Sequence, residues 1–595
     1  MKKHYETHVE DTDKLISVAG PVLDYKSWYE QYRKLMEEQA QRKYGLYTPT
    51  SEGDDDFPSI SGITARYSAL GLTNEQMAAN PVWVDKTGNG HDLQMKNFYW
   101  KGMSGVGGYE MNFNLWRNNV SSIPDISMST TTTSVSVSVG NSTYNNNLIY
   151  IHISNWGINK NHWLKVTSTY EDGDLAFIFY NDSNTKKIGL PANGYVNILA
   201  YPEFKGSYMY ISTISNKQGS FTVEQLPLYP GALVFDGVDD YGTCDNFPIL
   251  TKEKGYTVVA LRKWLTPENK TDNEVLVANL KKPRLETKAW GAWGAFGCEI
   301  KYNNTNPKMT RTMSFGNMPV INVNENNVLL CQTSNNDNGV DIASGNDTGG
   351  PYLLICSRGA SLFANAAIWE LIILDHDATE EELTKIKDYF VKTYPWLFPD
   401  QAWTVVGKTN EDEDRATIAN ITGNGNDLVL SNFGFAEGSG YNEEGEYAGY
   451  LVTDGVDDKA VSKQFKFGEN FTVILDFKFP VKKISYCGFD LSAKVRTQNL
   501  QDSGVYVVLK GNKTLIPSNV VRAVTSEGKV YDENWNEYNI VPGNISSNYT
   551  MVNLGFDGSI QFAESATKLA GIYSSTLSKD ECIKAYNYLQ TLKSK

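Results

Sequence analysis

Short runs of alternating apolar and polar residues recur along this chain of 595 residues. Residues 133–139 alternate without a break, and similar strand-like runs cover residues 148–153, 175–180, 195–201 and 208–214. Turns rich in Asn, Gly, Ser and Asp separate strand-like runs at intervals of roughly 8–12 residues, a spacing typical of β-sandwiches. The pattern predicts an all-β protein.

Three segments show helical periodicity instead. Residues 379–382 and 578–581 both have the S/T-x-x-E form of a capping box, and one apolar stripe follows each of them. Near the start of the chain, aromatic and apolar residues between positions 25 and 36 follow the i, i+3, i+4 rule, and Asp24 can cap that helix. A lone helix is marginal in water, so its stripe packs either on its own protein or on another subunit.

Several blocks of sequence occur twice in the same order. Residues 87–93 (Thr-Gly-Asn-Gly-His-Asp-Leu) return at 422–428, and residues 233–240 (Leu-Val-Phe-Asp-Gly-Val-Asp-Asp) return at 451–458. The first copy contains a long insertion between blocks that otherwise stay in step. This predicts an N-terminal helical docking segment with an acidic linker (1–57), a first sandwich (58–112 with 230–399), an inserted small β-sandwich (113–229) and a second sandwich (400–595).

Composition excludes some classes of function. The chain has 54 Lys and Arg against 69 Asp and Glu, a net charge of −15. Without a basic cluster such a chain repels phosphate backbones, so we expect no nucleic-acid partner. No apolar run approaches the roughly 20 residues of a membrane-spanning helix, and the start has no apolar signal core. We therefore expect synthesis in the cytoplasm and no membrane partner.

The repeated blocks resemble a known fold family. The Asp-x-x-Gly-Asn-Gly-x-Asp segment at 85–92, the Phe-Asp-Gly-Val-Asp-Asp-Tyr turn at 235–241 and the closing strand and helix look like concanavalin A-like, laminin-G-type lectin domains. The resemblance covers most of both copies and implies two jelly-roll sandwiches. Glu370 matches the glutamate of the family's closing strand, whereas the second copy lacks that residue.

A second resemblance concerns the whole protein. Residues 228–242, with the β-rich insertion upstream, resemble virion proteins of phages of gut Bacteroides-type bacteria. This implies a head- or tail-fibre component of the virion that contacts glycans of the host surface or mucosa and attaches to other virion proteins through its N-terminal segment. Fibres are commonly trimeric, so a homo-oligomer is expected by analogy.

Enzymatic activity is not predicted. The relatives resembling laminarinases carry Glu-x-Asp-x-x-Glu on one strand, and no such string occurs here. Glu533 and Glu537 flank Trp535 in what looks like a polar loop, a poor match to a pair of catalytic carboxylates. The alternatives to a glycan adhesin are a capsular-polysaccharide depolymerase and a purely structural virion adaptor.

Candidate ligand residues follow from the chemistry of sugars and hard cations. Trp290 and Trp293 have small neighbours that could leave an indole exposed for stacking on a glycan, although alternation allows only one of them to meet a ligand. Calcium is a possible cofactor, and its densest set of oxygen donors is residues 335–339 with Asp341 and Asp347. An Asx-rich turn network is the alternative interpretation of that loop.

Overall fold

The computed structural model describes part of the chain. The described residues are 56–110, 113–118, 126–140, 147–152, 163–181, 184–197, 208–213, 217–250, 254–265, 274–280, 296–302, 311–313, 321–323, 329–333, 351–357, 362–479, 487–492, 494–499, 504–518, 520–545, 549–556 and 562–594. Met1–Phe57 and Pro58–Lys595 are two compact units. The predicted N-terminal helix lies outside the described residues.

The described part of the chain is dominated by antiparallel strands, which confirms the predicted all-β fold. The first sandwich starts with β1 (Ile63–Ser68), α1 (Asn74–Ala79), β2 (Val82–Trp83), β3 (Leu93–Lys96) and β4 (Gly105–Val106). It resumes with β15 (Leu233–Asp236), β16 (Tyr241–Asp245), β17 (Thr257–Trp264), β18 (Glu274–Leu280), β19 (Phe296–Tyr302), β20 (Arg311–Met313), β21 (Ile321–Val323), β22 (Leu329–Thr333), β23 (Tyr352–Ile355), β24 (Asn365–Leu374) and α2 (Glu380–Thr393).

The segment between β4 and β15 forms two further sheets, which we call the guest domain. Its strands are β5 (Arg117–Asn118), β6 (Ile126–Thr130), β7 (Ser134–Val139), β8 (Asn147–His152), β9 (Trp163–Ser168), β10 (Leu175–Asn181), β11 (Asn184–Leu190), β12 (Asn193–Asn197), β13 (Tyr208–Thr213) and β14 (Gly219–Gln225). The sheets run β11-β10-β13-β8-β5 and β12-β9-β14-β7-β6. Alternate residues of β7, the three valines at 135, 137 and 139, enter a core shared by both sheets.

The second sandwich follows without an insertion. Its strands are β25 (Gln401–Thr404), β26 (Thr417–Ile418), β27 (Leu428–Ser431), β28 (Gly440–Asn442), β29 (Tyr450–Asp454), β30 (Lys459–Val461), β31 (Phe465–Lys466), β32 (Thr472–Lys478), β33 (Phe489–Leu491), β34 (Val495–Asn499), β35 (Val505–Leu509), β36 (Asn512–Ile516), β37 (Val520–Thr525), β38 (Lys529–Asp532), β39 (Glu537–Asn539), β40 (Tyr549–Thr550), β41 (Val552–Leu554) and β42 (Glu564–Tyr573), and α3 (Lys579–Gln590) closes it. Among the described residues, short 3₁₀ helices cover Phe113–Leu115, Pro395–Leu397 and Gly445–Tyr447.

The two sandwiches share one strand topology. In the first, β24 pairs with β17 along one edge and with both β15 and β1 along the other; in the second, β42 pairs with β32, β29 and β25 in the same way. The opposite sheets also agree, with β2-β3-β16-β23-β18-β19 matching β26-β27-β30-β41-β33-β34. The sequence repeat therefore corresponds to a repeat of the fold.

Both closing helices begin at the predicted capping boxes. Thr379 accepts a hydrogen bond from the backbone of Glu382, whose carboxylate accepts one from the backbone of Thr379. Ser578 and Glu581 make the same reciprocal pair before α3. These contacts provide hydrogen-bond partners for backbone amides that the first helical turn leaves without partners.

No helix among the described residues is long and apolar enough to cross a membrane.

An aromatic cluster joins the guest domain to the second sandwich. Trp163 of β9 is 5% exposed, and its ring centroid lies 6.3 Å from Trp535 and 5.9 Å from Tyr586 of α3. Trp535 lies in the turn between β38 and β39 with a left-handed φ of 60°, and is also buried. Large aromatic side chains supply much of the apolar area in such contacts, so this cluster holds the two domains together.

Candidate functional site

The loop after β3 is held in place by its aromatic residues. Asn97 and Trp100 have positive φ angles of 67° and 52°, which reverse the direction of the chain. Phe98 stacks on Trp100 with their ring centroids 4.6 Å apart, and it meets Phe235 of β15 edge-on at 5.1 Å. These contacts fix the loop against the end of β15.

The Asp-Gly-Val-Asp-Asp turn after β15 is hydrogen-bonded to that loop. Oδ1 of Asp236 accepts the N–H of Val238 at 2.8 Å, the contact of an Asx turn. Asp240 accepts the N–H of Asp236 at 3.1 Å and the hydroxyl of Ser104 at 3.0 Å. The Ser104 hydroxyl oxygen also accepts the N–H of Tyr99 at 2.9 Å. Turn and loop therefore form one unit, which sets the position of Tyr99.

A cleft of about 290 Å³ lies where this unit meets the guest domain. Its lining residues are Tyr99, Lys101, Gly102, Met103, Ser104, Tyr109, Glu110, Asp236 and, from the turn between β6 and β7, Thr132. Tyr99 is 64% exposed, and the Nζ of Lys101 lies 5.8 Å from its ring centroid. The cleft thus combines an exposed aromatic ring with carboxylate, ammonium and hydroxyl groups, which can bind a small polar ligand.

Carboxylates lie close to a tyrosine of the cleft and to an aspartate of the adjoining turn. Burial raises the pKa of Tyr109, and the negative charges of Glu224 and Glu75 raise it further. Burial and the neighbouring charge of Asp236 raise the pKa of Asp240 to about 7, although the Ser104 hydroxyl acts in the opposite direction. Ionised groups of one sign close to a partly buried carboxyl favour its neutral form. Negative charges therefore lie close to Tyr109 in the wall of the cleft and to Asp240 in the adjoining turn.

The second sandwich repeats the framework of this site with a different lining. Asn432 and Phe435 repeat the positive φ angles of Asn97 and Trp100, and the bridge between Ala436 and Ser439 repeats the bridge between Lys101 and Ser104. In that register Gly434 stands where the first sandwich has Tyr99, and Ala436 stands where it has Lys101. The loop of the second copy therefore lacks the exposed ring and the cation.

The aspartates of the repeated turn bring together oxygen atoms of the kind that hard cations such as calcium prefer. Carboxylate oxygens approach within 4.8 Å of one another in Asp236, Asp239 and Asp240 and again in Asp454, Asp457 and Asp458. The bonds from the N–H of Val238 and of Asp236 recur in the second copy, where the N–H of Val456 donates to Asp454 and the N–H of Asp454 donates to Asp458. These bonds explain the motif as a turn, and calcium binding stays a prediction.

The residues predicted as ligands do not belong to the part of the chain that the structure describes. Trp290 and Trp293 lie outside the described residues, and so do residues 335–339, Asp341 and Asp347. Their predicted roles remain predictions. Tyr99, Lys101 and Glu110 were not predicted, and the signal that could have found them is the divergence of the two loops within an otherwise repeated segment.

Glu533 and Glu537 occupy a hairpin whose centre is buried. Glu533 accepts a hydrogen bond from the Ser518 hydroxyl, and Glu537 forms an exposed ion pair with Lys529. The Trp535 side chain between them is only 1% exposed, because it packs on the guest domain. Each carboxylate therefore has its own local partner on an interdomain hairpin.

The sequence matches no protein-family profile and no curated protein. Among solved structures, Trypanosoma rangeli sialidase in complex with sialic acid is 9% identical over 80% of this chain and 86% of the sialidase, with a TM-score of 0.25. An HCR/D mutant is 11% identical over 32% of this chain and 51% of its own, with a TM-score of 0.23. The binding domain of Paraclostridial Mosquitocidal Protein 1 is 14% identical over 31% of this chain and 51% of its own, with a TM-score of 0.19.

The match thus spans about half of that HCR/D chain and about half of the mosquitocidal binding-domain chain. Likeness at these scores is general and carries no argument about function.

Proposed function

We propose that this chain is a non-enzymatic carbohydrate-binding protein whose first sandwich holds a saccharide in the cleft beside Tyr99. The observation that carries the proposal is the cleft, in which an exposed aromatic ring stands at the edge of a concave surface that also includes carboxylate, ammonium and hydroxyl groups. Its volume of about 290 Å³ is close to the lower limit of small-molecule sites. One or two sugar units are ligands of suitable size.

The lining groups match the two surfaces of a sugar ring. The C–H face of a saccharide packs on an aromatic ring, and Tyr99 offers such a ring at the edge of the cleft. Sugar hydroxyls donate to carboxylates and accept from ammonium groups, and Glu110, Asp236 and Lys101 provide both. Hydrogen bonds to charged groups are stronger than those between neutral groups, so these side chains would orient the sugar.

The two sandwiches have different roles in this proposal. Because Gly434 and Ala436 replace the aromatic and basic residues of the first loop, the second sandwich serves as a structural support rather than a second equivalent site. The aromatic cluster of Trp163, Trp535 and Tyr586 supports that role, since it attaches the guest domain to the second sandwich.

We place this binding activity on a phage particle, on the strength of the resemblance of residues 228–242 to virion proteins. The chain would be a fibre or decoration component, attached to other virion proteins through its N-terminal segment and assembled as a homo-oligomer. Several copies on one particle would raise avidity for host-surface or mucosal glycans far above the affinity of one cleft.

The test is binding of the full-length protein to arrayed glycans and to extracted host polysaccharide, in a multivalent format and with or without calcium. Tyr99→Ala should weaken binding by several-fold to about tenfold, the range expected for loss of an aromatic contact. Tyr549→Ala is the matched control, because Tyr549 is also exposed but belongs to the second sandwich.

The outcomes separate the alternatives. Equal binding by the Tyr99→Ala variant and the parent would contradict the assignment of the cleft. No binding on any surface would favour a structural virion adaptor. Release of reducing ends from the polysaccharide during the incubation would instead identify a depolymerase.

A further inference from the structure

Four acidic side chains lie either in the lining of the cleft or close to one of its lining residues. Glu110 and Asp236 belong to its lining. Glu224 and Glu75 lie close enough to Tyr109, another lining residue, for their charges to act on its hydroxyl. These four carboxylates come from separate parts of the chain, and β14 of the guest domain provides Glu224.

Among the lining residues that the structure describes, one cation opposes them. Lys101 carries it, and its Nζ lies 5.8 Å from the ring centroid of Tyr99, at the aromatic edge of the cleft. Two carboxylates against one ammonium give the lining side chains a net negative charge, and Glu224 and Glu75 add to it. The field inside a concave site reflects the sum of these charges.

We infer that the cleft selects uncharged saccharides and rejects sugars that carry a carboxylate, such as uronic and sialic acids. This inference rests on the proposed function and names the ligand class of the same site. The hydroxyls of a neutral sugar can donate to Glu110 and Asp236 in charge-assisted hydrogen bonds. A sugar carboxylate cannot donate a hydrogen bond to Glu110 or Asp236. Its negative charge would be repelled by these two carboxylates in a partly desolvated site.

The experiment compares matched pairs of oligosaccharides that differ only in charge. One pair is a galactose-terminated glycan with and without a terminal sialic acid, and another is an oligomer of glucose against an oligomer of glucuronate. We expect the full-length protein to bind the neutral member at least about tenfold more tightly at low salt, as like-charge repulsion predicts. The ratio should shrink as ionic strength rises, because salt screens the repulsion.

Charge reversal at Glu110 tests the cause. Glu110→Lys should narrow the preference for neutral glycans by a measurable factor and reduce its salt dependence. Glu444→Lys is the matched control, because it changes the net charge equally at an exposed position in the corresponding loop of the second sandwich. We expect the control to keep the selectivity of the parent protein.

Failure of this inference can be distinguished from failure of the proposed function. If the acidic glycans bind as tightly as the neutral ones or more tightly, the inference is overturned. If Tyr99→Ala abolishes that binding, the cleft is still the binding site. A preference unaffected by both salt and Glu110→Lys would overturn the inference as well. Absence of binding to every member of both pairs and to the array would remove the proposed function itself.

Discussion

Glu370 in the first sandwich and Asp476 in the second belong to the same residue pair of the repeated fold, but they lie on opposite strands of that pair. Glu370 lies on β24 opposite Leu261 of β17, whereas Asp476 lies on β32 opposite Leu569 of β42. Because β17 corresponds to β32 and β24 to β42, the carboxylate and the leucine have exchanged strands between the two copies. The second copy lacks the glutamate on its closing strand, and Asp476 on the neighbouring strand provides a carboxylate in its place.

In each sandwich the carboxylate is buried among donors. Glu370 accepts from Arg66 Nε at 3.2 Å and from the hydroxyls of Tyr389 and Tyr394 at 3.0 and 2.9 Å. Tyr389 belongs to α2, and Tyr394 directly follows that helix. A buried charge is tolerated only when it is paired and hydrogen-bonded, so this network ties the closing helix to the sheet.

Removing Glu370 tests how much that network contributes. Glu370→Ala breaks the buried ion pair between Glu370 and Arg66, and we expect it to lower the free energy of unfolding by about 3–5 kcal/mol. Glu381→Ala, at an exposed position of α2, is the control and should change little. Urea-induced unfolding of both variants measures the difference, and equal midpoints would show that the pair contributes nothing net.

The Asp476 network predicts sensitivity to acid. Burial by itself would raise the pKa of Asp476, but the charges of Arg522 and Lys568 together with the hydrogen bonds to the carboxylate outweigh burial and hold the pKa at about 2. Tyr586 and Gln590 donate two of these hydrogen bonds, at 3.0 and 2.8 Å. The unfolded pKa is about 3.9. A folded pKa below the unfolded one stabilises the protein above about pH 4, and this contribution is lost as the pH falls towards 2.

Urea midpoints measured across that window should therefore fall with decreasing pH. Asp476→Asn should be less stable than the parent at pH 5 and should show a flatter profile below pH 4, because the group that titrates is gone. A variant profile parallel to that of the parent would contradict this assignment.

Much of the architecture could be predicted because it is encoded locally and occurs twice. The capping boxes at Thr379 and Ser578 and the alternation of β7 depend on neighbours in sequence, and the structure confirms them. The repeated turns at 233–240 and 451–458 recur for the same reason, since their hydrogen bonds join residues two to four positions apart.

The cleft and the interdomain contact could not be predicted in this way. Tyr99 and Thr132 line one cleft although they belong to separate domains, and no local pattern brings them together. Trp535 lies in a polar hairpin, so its sequence neighbours indicate exposure, yet Trp163 of the guest domain covers it. Three-dimensional contacts between distant segments decide both features.

Asp240, in the turn beside the cleft, predicts that stability depends on pH with a sign opposite to that expected for Asp476. The pKa of Asp240 is raised to about 7 by burial and by Asp236, above an unfolded value of about 3.9. The folded state therefore binds the proton more tightly, so the contribution is complete below about pH 4 and is lost as the pH rises through 7. Asp240→Asn should remove that slope from the unfolding midpoints of the first sandwich, whereas Asp388→Asn on the exposed face of α2 should keep it.

The contact between the guest domain and the second sandwich gives a last prediction. Trp163→Ala removes a ring that packs on both Trp535 and Tyr586, and truncation of a buried tryptophan costs about 3–5 kcal/mol where the site cannot collapse. We expect faster hydrogen exchange and proteolysis in β9 and in the hairpin around Trp535. Lys165→Ala is the matched control, because Lys165 lies on the same strand but is exposed.

Glycan binding by the Trp163→Ala variant is a second measurement of the same effect. The cleft is formed jointly by the first sandwich and the guest domain, so loosening the guest domain should weaken binding without changing any residue of the cleft. Protection of β9 equal to that of the parent, together with unchanged binding, would show that the aromatic cluster does not support the site.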